Sequence, residues 1–203
     1  MNENVLITVF FVILFAIPMI YHSIKFHGVK ETCYLLLHIV GIAVIVELSG
    51  VTSGAYTYTG QTLVLVTIFV GIGWIANTYP AYHFSVYLLN LYEEFEKFNK
   101  KTALIISVTS GLFGVIYDLF IDPVAVMLNV WEWSRSGPWF GVPIANFIGW
   151  FFIILSITAG YLLVYQFTVK KPSIVRFGSS LIAIALGSGL VYFAMILSHI
   201  LGL

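Results

Sequence analysis

The sequence predicts an all-α polytopic membrane helix bundle of about six spanning helices. Three observations carry this. Of 203 residues, 60% are hydrophobic and 9% are charged, against the roughly 25% charged residues of soluble domains. Mean hydropathy is +1.00. The apolar residues fall into six runs, each close to the ~20 residues that cross a bilayer as helix.

Those runs place helices near 5–24, 33–51, 62–80, 102–128, 143–167 and 177–201, all within one integral membrane domain spanning 1–203. The first run has no basic residue before it and no small-residue cleavage pattern after it, so it reads as a retained helix. The third continues past Pro80 to Leu91, longer than a straight span needs. Pro80 is expected to kink it and leave Tyr82–Leu91 as an extension. The charged stretch from Glu93 to Lys101 reads as a solvated connection. Small residues at Ser107, Ser110, Gly111, Gly114, Gly187 and Gly189 suit close helix packing.

Basic residues set the orientation. Lys25 and Lys30, then Lys97, Lys100 and Lys101, then Lys170, Lys171 and Arg176 occupy alternate connections, with Arg135 alone on the other side. The positive-inside rule makes these three alternate connections cytoplasmic and both termini external. Zero net charge offers no footprint for nucleic acid, and the lone Cys33 rules out an internal disulfide. The expected surroundings are the lipid bilayer of a cell membrane.

Within this frame the acids sort by depth. Glu31, Glu93, Glu94 and Glu96 lie toward the cytoplasm and read as ordinary. Glu47 lies roughly 20 Å into the second helix, and Asp118 and Asp122 lie ~24 and ~30 Å into the fourth. Glu132 follows in the outer loop. These four gather in the outer half with Arg135 as the only basic neighbour. Unpaired carboxyls in a medium of low dielectric tend to stay protonated or share protons, which makes them proton donors. The structural alternative is that they cap helices, bond across the bundle or sit at headgroup level.

Several chemistries lack their residues. His22, His27, His38, His83 and His199 are scattered and form no iron-binding box. Neither a GxSxG nor an HExxH motif is present. The spacing of Asp118 and Asp122 could hold Mg²⁺ on a diphosphate, as in membrane prenyltransferases, but a second acidic motif and basic phosphate ligands are missing. A proton-coupled carrier or lipid-binding scaffold remains as a non-enzymatic reading. It would spread its acids through both membrane halves.

The block Asp118-Leu-Phe-Ile-Asp122-Pro123, Trp131-Glu132-Trp133, Gly141-Val-Pro143 and Asn146-Phe-Ile-Gly-Trp150 resembles the signature of the carotenoid-biosynthesis hydratases. These are the carotenoid 1,2-hydratases and bisanhydrobacterioruberin hydratases. Glu47-Leu-Ser-Gly-Val51 with Gly54, Tyr56 and Tyr58 is similar to their second recognisable patch. The resemblance implies addition of water across the terminal isopropylidene double bond of an acyclic carotenoid, or another isoprenoid, with no metal or redox cofactor.

Such chemistry needs a carboxylic acid to protonate the alkene, stabilisation of a tertiary cation, and a water steered by a base. On this reading Asp118 is the general acid, Asp122 orients water or relays the proton, and Glu47 tunes or replaces the acid. Trp131, Trp133, Tyr56 and Tyr58, with Glu132, line the cation site, and Asn146 positions the water. The tryptophans equally suit an interfacial belt. Pro123, Pro138 and Pro143 shape the loop. An acid-initiated isoprenoid cyclase or isomerase would use the same carboxylates without net hydration.

Overall fold

The computed structural model describes residues 3–59, 63–89 and 99–201. Five helices and one short ribbon follow in the order α1 (Glu3–Thr52), β1 (Tyr56–Tyr58), α2 (Leu63–Leu88), α3 (Lys100–Met127), β2 (Trp131–Trp133), α4 (Ile144–Thr168) and α5 (Ser173–Ile200). Among the described residues, α1 from Leu6 onward, α3, α4 and α5 are long and apolar enough to cross a membrane. This is the build of a multi-pass membrane protein.

The first two expected helices form one element, α1, interrupted at Gly28 (φ 79°, ψ 163°). No side chain larger than hydrogen takes that conformation without strain, and open space surrounds the position, so backbone geometry alone calls for glycine. The chain turns sharply there. Ser23 and Thr32 would stand about 13 Å apart along a straight helix, yet their hydroxyls hydrogen-bond at 2.9 Å. A straight helix of this length would run about 75 Å, more than twice the hydrocarbon thickness. The break divides α1 into two limbs that fold back on each other.

The third apolar run continues past Pro80, as expected. Helix α2 continues through Pro80 to Leu88. Leu91, and Glu93, Glu94, Glu96 and Lys97 of the charged connection, lie outside the described residues. Asn99 caps α3 by accepting a hydrogen bond from the backbone N–H of Thr102 at 3.0 Å.

Helices α3 and α4 approach closely because α3 presents glycine. A methyl group at Gly111 would sit 2.9 Å from the Phe151 carbonyl oxygen, and one at Gly114 would collide with Ile154. Ser110 donates to Ser85 of α2 at 3.2 Å. On α5, Gly187 meets Ile42 in the same manner, whereas Gly189 faces outward and packs against nothing. The centre of the bundle is filled by Ile39, Ile42, Ile106, Ile154 and Ile157, each fully buried.

One end of the bundle is closed by an ion pair that the sequence reading treated as two ordinary surface charges. Arg176, in the first turn of α5, is 1% exposed. It donates through both terminal nitrogens to Glu31 at the start of the second limb of α1, one bond at 2.6 Å. Its guanidinium lies 4.0 Å from the Tyr34 ring centroid and 5.3 Å from that of Tyr165. The second limb and α5 therefore begin at the same level and run in the same direction. Their other ends, with the end of α3 and the start of α4, form the opposite face of the bundle.

Because Arg176 is buried, Glu31→Ala is expected to leave an uncompensated guanidinium and cost about 3–5 kcal/mol. The double replacement Glu31→Leu with Arg176→Met should cost far less than either single change. Thermal melts of the purified variants in detergent measure the difference.

Candidate active site

The two connections at the far end pair with each other. Tyr56 lies opposite Trp133, Thr57 opposite Glu132 and Tyr58 opposite Trp131 in an antiparallel ribbon. Bonds from Thr59 N–H to the Val130 carbonyl (3.1 Å) and from Ser134 N–H to that of Ala55 (3.0 Å) extend it. Alternation along a strand sends successive side chains to opposite faces. Tyr56, Tyr58, Trp131 and Trp133 accordingly share the inward face, while Thr57 and Glu132 are exposed on the other. Ring centroids are 4.9 Å apart for Tyr56 and Trp133 and 5.6 Å for Tyr58 and Trp131.

Asp118 and Asp122 are one turn apart on α3, on the face that carries Gly111 and Gly114. That face packs on α4, so both carboxyls point at its first turn. There the Asn146 amide nitrogen donates to Asp118 Oδ2 at 2.6 Å and to Asp122 Oδ2 at 2.7 Å. The aspartates are 0% and 2% exposed. The second oxygen of Asp118 has no hydrogen-bond partner among the described residues.

Pro123 follows the pair inside the helix. It has no N–H to give to the Leu119 carbonyl, which a helix would otherwise satisfy from that position. The indole of Trp139 donates to that carbonyl instead, at 3.0 Å. The loop is thereby latched to the helix that bears the acids. It is folded tightly on itself, Gly137 pairing with Gly141 and Trp139 with Val142.

Glu47, at the end of α1, is held by aromatic donors. Trp74 of α2 donates through its indole to Oε1 at 3.0 Å. The Tyr58 hydroxyl donates to Oε2 at 3.4 Å, and that of Tyr56 makes a shorter bond to the same oxygen. Burial first, and the Glu47 charge second, push both phenols well above their ordinary pKa, so both remain donors. Gly50 allows this arrangement, because a Cβ there would stand 2.6 Å from the Tyr56 ring.

These groups surround a cavity of about 1020 Å³ whose wall includes Glu47, Asp122, Asn146 and the four inward rings of the ribbon. Asp118 stands behind Asp122 and is not part of the wall; Glu132 is also outside it. The structure therefore gathers eight of the nine expected site residues and leaves Glu132 on the outer surface of the ribbon. Arg135 and His199 are also in the wall. Elsewhere His22, His27 and His83 approach one another in space, with ring centroids 4.5 Å apart for His22 and His83. Among the described residues, no three His, Cys, Asp or Glu side chains have metal-binding geometry.

Sequence reasoning missed Trp74, which orients Glu47, and gave no role to Trp150, the end of the family-like block, whose ring centroid lies 4.5 Å from that of Trp74 and which completes the wall. It also missed Tyr192 of α5, which lines the cavity and bonds to Ser49. Trp74 carries no spacing signal toward a residue 27 positions away. The Trp139 latch had one, since a proline inside a helix leaves a carbonyl in need of a donor.

No curated protein and no solved structure matches this chain. A family model does, the one described as carotenoid biosynthesis protein, over residues 4–203. Nearly the whole sequence is covered, and the chain belongs to the carotenoid biosynthesis protein family.

Proposed function

We propose that this protein is a membrane hydratase that adds water to a terminal isopropylidene double bond of an acyclic carotenoid, bisanhydrobacterioruberin-like in its end group. Membership of the carotenoid biosynthesis family supports the substrate class. The observation that carries the reaction is the buried pair Asp118 and Asp122, bridged by one amide, with Asp122 at the wall of an aromatic cavity.

In this reading the two carboxyls hold one proton between them, since two carboxylates sharing a site do not both ionise readily. The cavity-facing Asp122 delivers that proton to the CH carbon of the double bond. The π electrons form the new C–H bond, and the carbon bearing two methyls becomes a tertiary cation. This exchanges the roles the sequence reading gave the two aspartates, because Asp118 lies behind its partner. The cation is stabilised by the faces of Tyr56, Tyr58, Trp131 and Trp133 and by the Glu47 carboxylate. Water attacks it, guided by the Asn146 amide oxygen, and returns one proton to the aspartate pair. The balance is alkene plus water to tertiary alcohol.

Glu47 suits the counter-charge better than the acid. Its three aromatic neighbours donate to it, as suits a carboxylate. The lysine-bearing turns near Gly28 and between α4 and α5 are at the end opposite the cavity, which supports an extracytoplasmic site with both termini outside. An acid-initiated cyclase would use the same groups without incorporating water. A Mg²⁺-dependent prenyltransferase would need a second acidic motif, and a carrier would need acids along its length; here Glu47, Asp118 and Asp122 lie together at one end, and Glu31 at the other is paired with Arg176.

Expressed in cells that accumulate acyclic carotenoids, the protein is expected to add the mass of one or two waters, with ¹⁸O entering from labelled water. Asp122→Asn and Asp118→Asn should each lower turnover by about 100-fold or more. A pigment of shifted absorption but unchanged mass would instead identify a cyclase or isomerase. Purified enzyme is expected to keep its activity in excess EDTA. Loss on chelation with recovery on added Mg²⁺ would favour the metal-dependent alternative.

A further inference from the structure

Gly149 is a helical glycine with no packing reason to be one. Glycine inside a helix is less stable than alanine, so its presence in a buried position calls for a neighbour that excludes a methyl. Gly50, Gly111 and Gly114 are buried and each has such a neighbour within 3 Å of where a Cβ would stand. Gly149 is equally buried, yet nothing lies within 4 Å of its Cβ position. Open space at a buried residue is internal space, and here it is the cavity, whose wall includes Gly149.

The location gives that space a use. Gly149 follows Asn146 by three residues on α4, which puts both on one side of the helix, Gly149 about one turn deeper. Asn146 holds the two carboxyls. Ile153, the next turn of α4, and Met195 of α5 also line the cavity, so its wall near this level is hydrocarbon. A group lodged beside Gly149 is therefore apolar, compact and within one turn of Asn146, which bonds the proton donor.

We propose that Gly149 is a specificity-determining residue, forming the slot that seats the two geminal methyls of an isoprenoid end group. The inference rests on the hydratase reading for the identity of the end group. With the CH carbon at Asp122, the doubly methylated carbon is one bond further on, and its methyls need room of this size and polarity. A side chain at position 149 would fill that room and push the double bond away from Asp122.

The test uses full-length protein in lipid nanodiscs with lycopene as probe. Affinity is read from quenching of tryptophan fluorescence, turnover from product mass, and stability from thermal melts. Gly149→Ala is expected to melt at or above wild type while its affinity for lycopene falls about 10-fold, the scale of one methyl in an apolar pocket. Gly149→Leu should weaken binding further. Gly111→Ala, at a packing glycine, should lose thermal stability and serves as the contrast.

Wild-type affinity in Gly149→Leu, a lowered melt in Gly149→Ala, or no binding of lycopene by wild type would each overturn the slot. Binding that depends on Gly149 with no gain of mass would retain the slot and refute the hydratase reading. Hydration with affinity and KM indifferent to position 149 would do the reverse.

Discussion

The arrangement at the end of the bundle depends on one side-chain amide. Asn146 places a single NH₂ group between two carboxyls that are shut away from water. An isolated buried carboxylate is costly, and two side by side are worse. A lysine or arginine would compensate them fully, but an acid already paired with a fixed cation has little tendency to give up a proton. An amide supplies hydrogen bonds without charge. The rest of the local structure serves to deliver it: glycines on α3 bring α4 close, Pro143 starts α4, and the Trp139 latch holds the intervening loop on α3.

The opposite end solves a similar problem by the other route. There the buried charge is Arg176, which lies between aromatic rings and is met through both terminal nitrogens by the half-buried Glu31. That pair is neutral as a unit and suited to holding helices in register. The bundle thus has one end where charge is cancelled and one where it is managed with neutral donors. Only the second retains chemical potential for proton transfer.

Most of the helical architecture could be read from apolar run length, because hydrocarbon thickness imposes it. The continuation of α2 past Pro80 was legible in the same way, but runs carry no information on how successive helices join, so the Gly28 turn was not. The aspartate pair was legible, since a four-residue spacing fixes a common face; Asn146 stood out only through the family-like block, because a polar residue near a helix start commonly caps its own helix. The ribbon was less so. Tyr-Thr-Tyr and Trp-Glu-Trp each alternate for only three residues, too short to separate a strand from an interfacial belt. That alternation explains why Glu132, which shares its tripeptide with two cavity tryptophans, points the other way. Glu31 and Arg176 looked like ordinary surface charges because their partnership spans 145 residues.

The ribbon also bears on how the chain is assembled. Glu47 arrives with α1, its indole partner with α2, the aspartates with α3, and the amide that reconciles them only with α4. Until α4 docks, two carboxyls occupy an apolar helix face without the amide that bridges them. Insertion of the last two helices is then the event that makes the earlier ones tolerable in lipid. Membrane insertion and completion of the cavity wall become a single step, and a chain stalled after α3 exposes two carboxyls that the finished bundle keeps buried.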